Sequence, residues 1–70
     1  MIRDPVSSSN LQSVGYDPAT NVLEIAFHSG GVYQYSGVPS AIHQGLLYAG
    51  SKGQYFAARI KNSFPFRKVG

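Results

Sequence analysis

Apolar and polar residues alternate along residues 22–28. Leu23, Ile25 and Phe27 fall on one face of an extended chain, and Glu24 falls on the other. A period of two residues is typical of a β-strand with one face against a core. We therefore expect a strand here whose Leu23 face belongs to the core.

Two further strands are predicted, one on each side of this segment. Residues 11–16 and 32–36 contain residues that favour strands, and turn-forming residues at 17–21 and 29–31 separate them from residues 22–28. Connections this short join antiparallel neighbours. The first half of the chain therefore predicts a three-stranded antiparallel β-meander.

The apolar period becomes helical after Pro39, which suits the first turn of a helix. Within residues 40–49 apolar residues recur every three or four positions. A second short helix is predicted after Ser51, because serine caps helix N-termini and because Phe56 and Ile60 form an apolar pair four residues apart. The predicted fold class is therefore α+β, a three-stranded antiparallel β-meander followed by two short helices.

The length of 70 residues sets the domain organisation. A chain this short supports one core, so residues 11–70 are predicted to form a single α+β domain. Residues 1–10 contain Pro5 and a polar run without periodicity, which indicates a flexible leader. Because the chain has no cysteine and no metal-ligand cluster, its stability must come from packing or from self-association, and a homodimer is a candidate partner.

The chain carries no sign of membrane insertion or export. No apolar run approaches the roughly 18 residues that a membrane span needs, and no signal-like hydrophobic stretch opens the sequence. The absence of cysteine fits a reducing compartment. We therefore expect a cytoplasmic protein with no membrane partner.

Basic residues are concentrated in the second half of the chain. Asp4, Asp17 and Glu24 all lie within residues 1–35, which carry a net charge of −2, whereas residues 36–70 carry +5, which gives the total of +3. This asymmetry is typical of a surface that meets phosphate or another polyanion, although a merely solvated basic face has the same pattern. The candidate nucleic-acid-binding residues are Ser51, Lys52, Gly53, Tyr55, Arg59, Lys61, Arg67 and Lys68.

The run Ser51-Lys52-Gly53 stands at the predicted start of the second helix. Backbone N–H groups, the positive end of the helix dipole and a lysine there make a seat for an anion or a phosphate. The alternative is a helix cap with a glycine for close packing, and both can hold together. A single basic stripe with one stacking ring is predicted to continue from this seat, through Arg59, Lys61, Arg67, Lys68 and Tyr55.

The residues that catalysis needs are scarce. Only two histidines, His28 and His43, and three acids are present. Glu24 and His28 lie about 13 Å apart along an extended strand, beyond hydrogen-bond reach, and His43 is expected on the surface of the first helix. No metal-ligand cluster and no glycine-rich nucleotide loop occurs. We therefore expect no enzymatic activity, no catalytic residue, no cofactor and no metal.

Loop length decides which face of the sheet Tyr33 and Tyr35 occupy, because a difference of one residue reverses the face. A two-residue turn at Ser29–Gly30 places both rings on the face opposite Leu23. The two tyrosines then form an exposed aromatic platform on which bases can stack.

A three-residue loop closed by a left-handed glycine pairs Ile25 with Tyr33 and Leu23 with Tyr35, and both rings then join the core. We favour this arrangement because the other one turns Gln34 toward the core. Burying that amide unpaired costs about 1–3 kcal/mol. Tyr33 and Tyr35 are therefore predicted to be mainly structural.

Four short motifs resemble a known family. They are Val14-Gly15-Tyr16-Asp17, Tyr33-Gln34-Tyr35, Val38-Pro39, and Ser51-Lys52-Gly53 with Phe56. Together they resemble the KTSC domain over residues 9–69. This family takes its name from a C-terminal extension found on some lysyl-tRNA synthetases, and it also occurs as small free-standing bacterial and phage proteins.

The resemblance implies a role without catalysis and, through the synthetase connection, RNA binding. We therefore predict a small non-enzymatic module that binds RNA or single-stranded nucleic acid through its basic C-terminal helical half. The alternative is a protein–protein interaction or homodimerisation module without nucleic-acid binding, which uses a strand edge or the segment Phe64-Pro65-Phe66.

Overall fold

A computed structural model describes residues 1–70 as an α+β fold, which confirms the predicted class. A five-stranded antiparallel sheet has the strand order β1-β2-β3-β4-β5, and two helices lie in sequence between its last two strands. The elements are β1 (Asp4–Pro5), β2 (Leu11–Asp17), β3 (Val22–Phe27), β4 (Val32–Tyr35), α1 (Ser40–Tyr48), α2 (Lys52–Arg59) and β5 (Phe66–Lys68).

The predicted meander is the central part of a larger sheet, and two edge strands correct the expectation of three. Residues 1–10 were expected to be a flexible leader, yet Asp4 pairs with Val14 to form β1 against β2. At the other edge Phe66 pairs with Tyr35 to form β5 against β4. Edge strands of two and three residues are too short to show an alternating pattern in the sequence.

The core lies between one face of the sheet and the two helices. Apolar residues of β2, β3 and β4 pack against Leu46 of α1 and Phe56 of α2. The strand period of two residues and the helical period of three to four residues predict these buried faces. The nine buried members of this cluster are Leu11, Val14, Leu23, Ile25, Tyr35, Val38, Leu46, Phe56 and Ile60. Neither helix has the length and apolar character needed to cross a bilayer.

The helices approach each other closely at Gly45. A Cβ atom on Gly45 would overlap the Tyr55 ring, so the glycine makes room for that ring between α1 and α2. His43, expected on the helix surface, is half-buried instead and stacks on Tyr16 with ring centroids 4.5 Å apart. Burial lowers the pKa of His43 below its ordinary value. The Tyr16 hydroxyl in turn donates a 2.6 Å hydrogen bond to the backbone oxygen of Val38.

The opposite face of the sheet, here called the outer face, is closed by the N-terminal residues. Arg3 Nη1 donates to Glu24 Oε2 at 2.6 Å, and Gln34 Nε2 donates to Glu24 Oε1 at 2.8 Å. The chain can pass this close because Gly15 has no side chain: a Cβ atom there would lie 2.6 Å from the backbone oxygen of Ile2. Glu24 is only 6% exposed as a result.

The hydrogen bond from Gln34 is the main cause of a lowered pKa at Glu24, and the Arg3 guanidinium adds to it, while burial acts in the opposite direction. A carboxyl group with a lowered pKa binds fewer protons in the folded than in the unfolded state. Its stabilising contribution is therefore present above the ordinary value of 4.5 and is lost as the pH falls through the folded-state pKa.

We expect Glu24→Gln to lower the free energy of unfolding at neutral pH by about 1–3 kcal/mol, because the Arg3 guanidinium loses its charged acceptor. The variant should also lose less stability than the wild type when the pH is lowered below about 4.5. Urea denaturation at a series of pH values measures both effects, with Asp4→Asn as the control that removes an exposed carboxylate. Parallel pH dependences for wild type and Glu24→Gln would contradict the assignment.

Candidate functional site

The connection between β3 and β4 is the three-residue loop favoured by the sequence. Phe27 N–H donates to the backbone oxygen of Gly31, and Gly30, with φ of +98°, donates back to the oxygen of Phe27. Tyr33 consequently pairs with Ile25, and Tyr35 pairs with Leu23. The predicted register is confirmed, and both tyrosines lie on the core face of the sheet.

The two tyrosines differ in depth. Tyr35 is only 4% exposed and belongs to the core cluster, whereas Tyr33 is half-buried and packs against the margin of that cluster. Phe66 of β5 lies beside both rings, with centroids 5.5 Å from Tyr35 and 6.0 Å from Tyr33, and it remains 57% exposed. The core face therefore ends at β5 in a partly open aromatic surface.

A cleft of about 420 Å³ opens at this aromatic surface, between the sheet and the C-terminal end of α2. We call it the aromatic cleft. Five of its seven lining residues are aromatic, and their rings meet edge-on or tilted at centroid distances of 5.3 to 6.0 Å. The lining consists of Phe27, Ser29, Tyr33, Tyr35, Phe56, Lys61 and Phe66.

The electrostatics of the aromatic cleft are cationic. Lys61 lines it, and the side chain of Lys68 crosses Gly31 beside the Tyr33 ring. No carboxylate is among the lining residues. Burial, with a smaller contribution from the charge of Tyr33, raises the pKa of Tyr35, so its hydroxyl stays protonated at neutral pH and can donate a hydrogen bond.

The run Ser51-Lys52-Gly53 forms the start of α2, as the sequence predicts. Ser51 Oγ accepts a 3.3 Å hydrogen bond from Gln54 N–H, and Lys52 Nζ donates to the backbone oxygen of Ala49 at 3.3 Å. Gly53 faces Asn10, whose Nδ2 lies 2.5 Å from where a Cβ atom would stand. These contacts are those of a helix cap with a close-packed glycine, and the anion seat stays a prediction.

A polar groove of about 690 Å³ runs between the first turn of α2 and residues 7–10. We call it the polar groove, and Ala57 is its one hydrophobic lining residue. Its outer wall is fixed by Ser8, whose Oγ accepts from the N–H groups of Asn10 and Leu11 at 3.2 Å each. The Nε2 atom of His28 lies 3.0 Å from the backbone oxygen of Ser8.

The single basic stripe expected from the sequence is divided. The alternation of side chains along β5 puts Lys68 opposite Tyr33 and Arg67 opposite Gln34, which lies on the outer face. Arg59 is exposed on α2 but lines neither the cleft nor the groove. Tyr55, expected to be a stacking neighbour, packs between the helices.

The structure thus brings Lys61 and the tyrosine pair together in the aromatic cleft, with Lys68 beside the Tyr33 ring. It places Ser51, Lys52 and Gly53 at a second opening, the polar groove. The sequence analysis named Phe66 only within the segment Phe64-Pro65-Phe66 and missed its place in the aromatic cleft, because the segment after Pro65 shows too few residues to reveal a strand. The signal that could have revealed the strand was the alternation of residues 66–68, in which Phe66 and Lys68 fall on one face and Arg67 falls on the other. No group of three or more residues of the His, Cys, Asp and Glu types is arranged to hold a metal ion.

Comparison with known proteins identifies relatives of two kinds. The model of the KTSC domain family matches residues 7–64. The crystal structure of a KTSC domain protein from Yersinia pestis is similar with a TM-score of 0.96 at 51% sequence identity, and the match covers 99% of this chain and 97% of that one. An uncharacterized protein of Stutzerimonas stutzeri is 46% identical over 56 residues, which are 80% of this chain and 79% of the relative.

The second kind of relative is a much larger enzyme. A lysine–tRNA ligase of Nostoc sp. is 38% identical over 61 residues. The match covers 87% of this chain but spans only 11% of the ligase.

We expect Tyr35→Ala to destabilise the domain by about 3 kcal/mol or more, because it removes a buried aromatic ring from the core. Phe66→Ala should cost only about 1 kcal/mol, since more than half of that ring is already in water. Thermal and urea denaturation followed by circular dichroism measure the difference. If Tyr35→Ala were as stable as the wild type, the core assignment of this ring would be wrong.

Proposed function

This chain belongs to the KTSC domain family, and from that membership and the aromatic cleft we propose that it is a non-enzymatic module that binds RNA or other single-stranded nucleic acid. The observation that carries the proposal is the combination of partly open rings with Lys61 in the lining of one cleft and Lys68 beside the Tyr33 ring. Bases stack on aromatic side chains at a gain of about 1–3 kcal/mol each, and lysines beside the rings attract the phosphates. The lining contains no acid that would repel them.

RNA is the favoured ligand because of the ligase relatives. By name these enzymes act on tRNA, and segments of them are 36% to 39% identical to this chain. An unpaired base at the end or in a loop of an RNA is accessible to such a cleft, whereas a stacked base inside a duplex is not. The same relationship supports a location in the cytoplasm.

The proposal assigns no catalysis, because the residues that catalysis would use have structural partners. His28 contacts the backbone oxygen of Ser8, His43 stacks on Tyr16, and Glu24 is held by Arg3 and Gln34. A general base needs a free position within hydrogen-bond reach of a substrate. None of these three side chains lines the aromatic cleft.

We expect the wild type to bind a fluorescein-labelled oligouridylate, with an affinity that falls as salt increases by a logarithmic slope of about 0.7 per phosphate contact. Phe66→Ala should weaken binding by about fivefold or more, the lower end of what one stacked base contributes. Lys68→Ala should weaken it as well, whereas the neighbouring Arg67→Ala, on the outer face, is the matched control and should have the smaller effect. Fluorescence polarisation measures all four proteins, and no binding at low salt would refute the proposal.

A protein interaction or homodimerisation module is the second candidate, and the exposed edge of the sheet favours it. β5 is the last strand in the sheet order, and Phe66 and Val69 beside that edge are 57% and 43% exposed. An exposed edge strand can pair with a strand from another chain.

We expect the protein to be a monomer in static light scattering, because Arg67 and Lys68 would face like charges in an edge-to-edge pair of β5 strands. A dimer that the substitution Val69→Asp dissociates would favour the second candidate over nucleic-acid binding. Ala41 is exposed, so Ala41→Asp is the control for the added charge. Val22→Asp is unsuitable, because Val22 is partly buried.

A further inference from the structure

The aromatic cleft and the polar groove are connected. A third recess, of about 210 Å³, is lined by Ser9, Asn10, Phe27 and Ser29. Ser9 and Asn10 also line the polar groove, and Phe27 and Ser29 also line the aromatic cleft. The recess therefore adjoins both larger openings, and we call the three openings together the trough.

We propose that this trough is a single site for a short stretch of single-stranded nucleic acid, with a base in the aromatic cleft and the adjoining sugar–phosphate units in the polar groove. The inference rests on the proposed function and adds the extent of the site. Eight residues of helix span about 12 Å. At about 3.4 Å per stacked nucleotide, that length accommodates roughly three nucleotides.

The two ends of the trough differ in the way that a nucleotide chain requires. The cleft end offers aromatic rings, whereas the groove end offers serine hydroxyls, side-chain amides and Lys52, with Ala57 as its one hydrophobic residue. An extended apolar peptide would need apolar contacts along its whole length. Ribose hydroxyls and phosphates find hydrogen-bond donors and acceptors in the groove instead.

The charge of the trough fits a polyanion throughout. Lys52 lines the groove end and Lys61 lines the cleft end. None of the three acidic side chains lines any of the three openings. Phosphate groups bound in the trough would therefore lie near lysines, with no acidic side chain beside them.

The groove wall is formed before any ligand binds. Ser8 holds the backbone of residues 9–11 through two hydrogen bonds, and His28 contacts its backbone oxygen. Gly53 lets the Asn10 amide approach α2 closely. A preformed wall reduces the entropic cost of binding, because little of the protein has to be ordered by the ligand.

The test compares UMP with an oligouridylate of about four nucleotides, each titrated into ¹⁵N-labelled protein and followed by NMR. UMP should shift resonances around Tyr33, Tyr35 and Phe66 alone. The longer ligand should bind about tenfold more tightly or better and should also shift Ser9, Asn10 and Gln54.

The decisive variant is Gln54→Glu, which adds a carboxylate to the groove wall. It should fold normally, because a glutamate three residues after the Ser51 cap completes a capping box. We expect it to weaken the longer ligand about fivefold and to leave UMP nearly unchanged. Ala58→Glu, an exposed position on α2 outside the trough, adds the same charge and is the matched control.

The outcomes separate the two proposals. If the longer ligand binds no more tightly than UMP, or if Gln54→Glu and Ala58→Glu have the same effect on it, the single-trough inference is wrong while binding at the cleft stands. If neither ligand binds, the proposed function itself is wrong.

Discussion

The three-residue loop between β3 and β4 is the constraint on which the rest of this structure depends. A side chain changes face with every residue of a strand, so one residue more or less in this loop would exchange the two faces of β4. Gly30 and Gly31 both have φ of +98°, a conformation that residues with side chains rarely adopt. Two glycines at the turn therefore determine that the tyrosines, and not Gln34, meet the helices.

The register of β4 also organises both faces of the sheet at once. On the core face it brings the Tyr35 ring to Phe56 and gives Phe66 the two tyrosine rings to lie against. On the outer face it brings the Gln34 amide to Glu24, so that a carboxylate can be buried with both oxygens bonded. A buried carboxylate without these partners would cost several kcal/mol in so small a domain.

Most of the fold could be predicted from the sequence, because the elements with a buried face have clear periods. The strands of the meander and both helices follow from such patterns. The loop length was favoured on a different ground, the cost of turning Gln34 toward the core. The edge strands could not be predicted, since β1 and β5 are exposed and gain their structure from pairing with an existing sheet. The aromatic cleft needed β5 and therefore escaped sequence reasoning as well. The basic residues could be named from the sequence, but their division between faces depends on the register of β5.

Chain order has a consequence for how the cleft assembles. The strands of the meander are joined by short turns, whereas both helices separate β4 from β5 along the chain. Contacts between distant segments carry a larger loop-closure cost and form after local ones. We therefore expect β5, a short exposed edge strand, to detach more readily than the meander, and its detachment would remove Phe66 from the cleft. A ligand that fills the cleft would also hold this last strand in place, so occupancy and the hydrogen-exchange protection of β5 are thermodynamically linked.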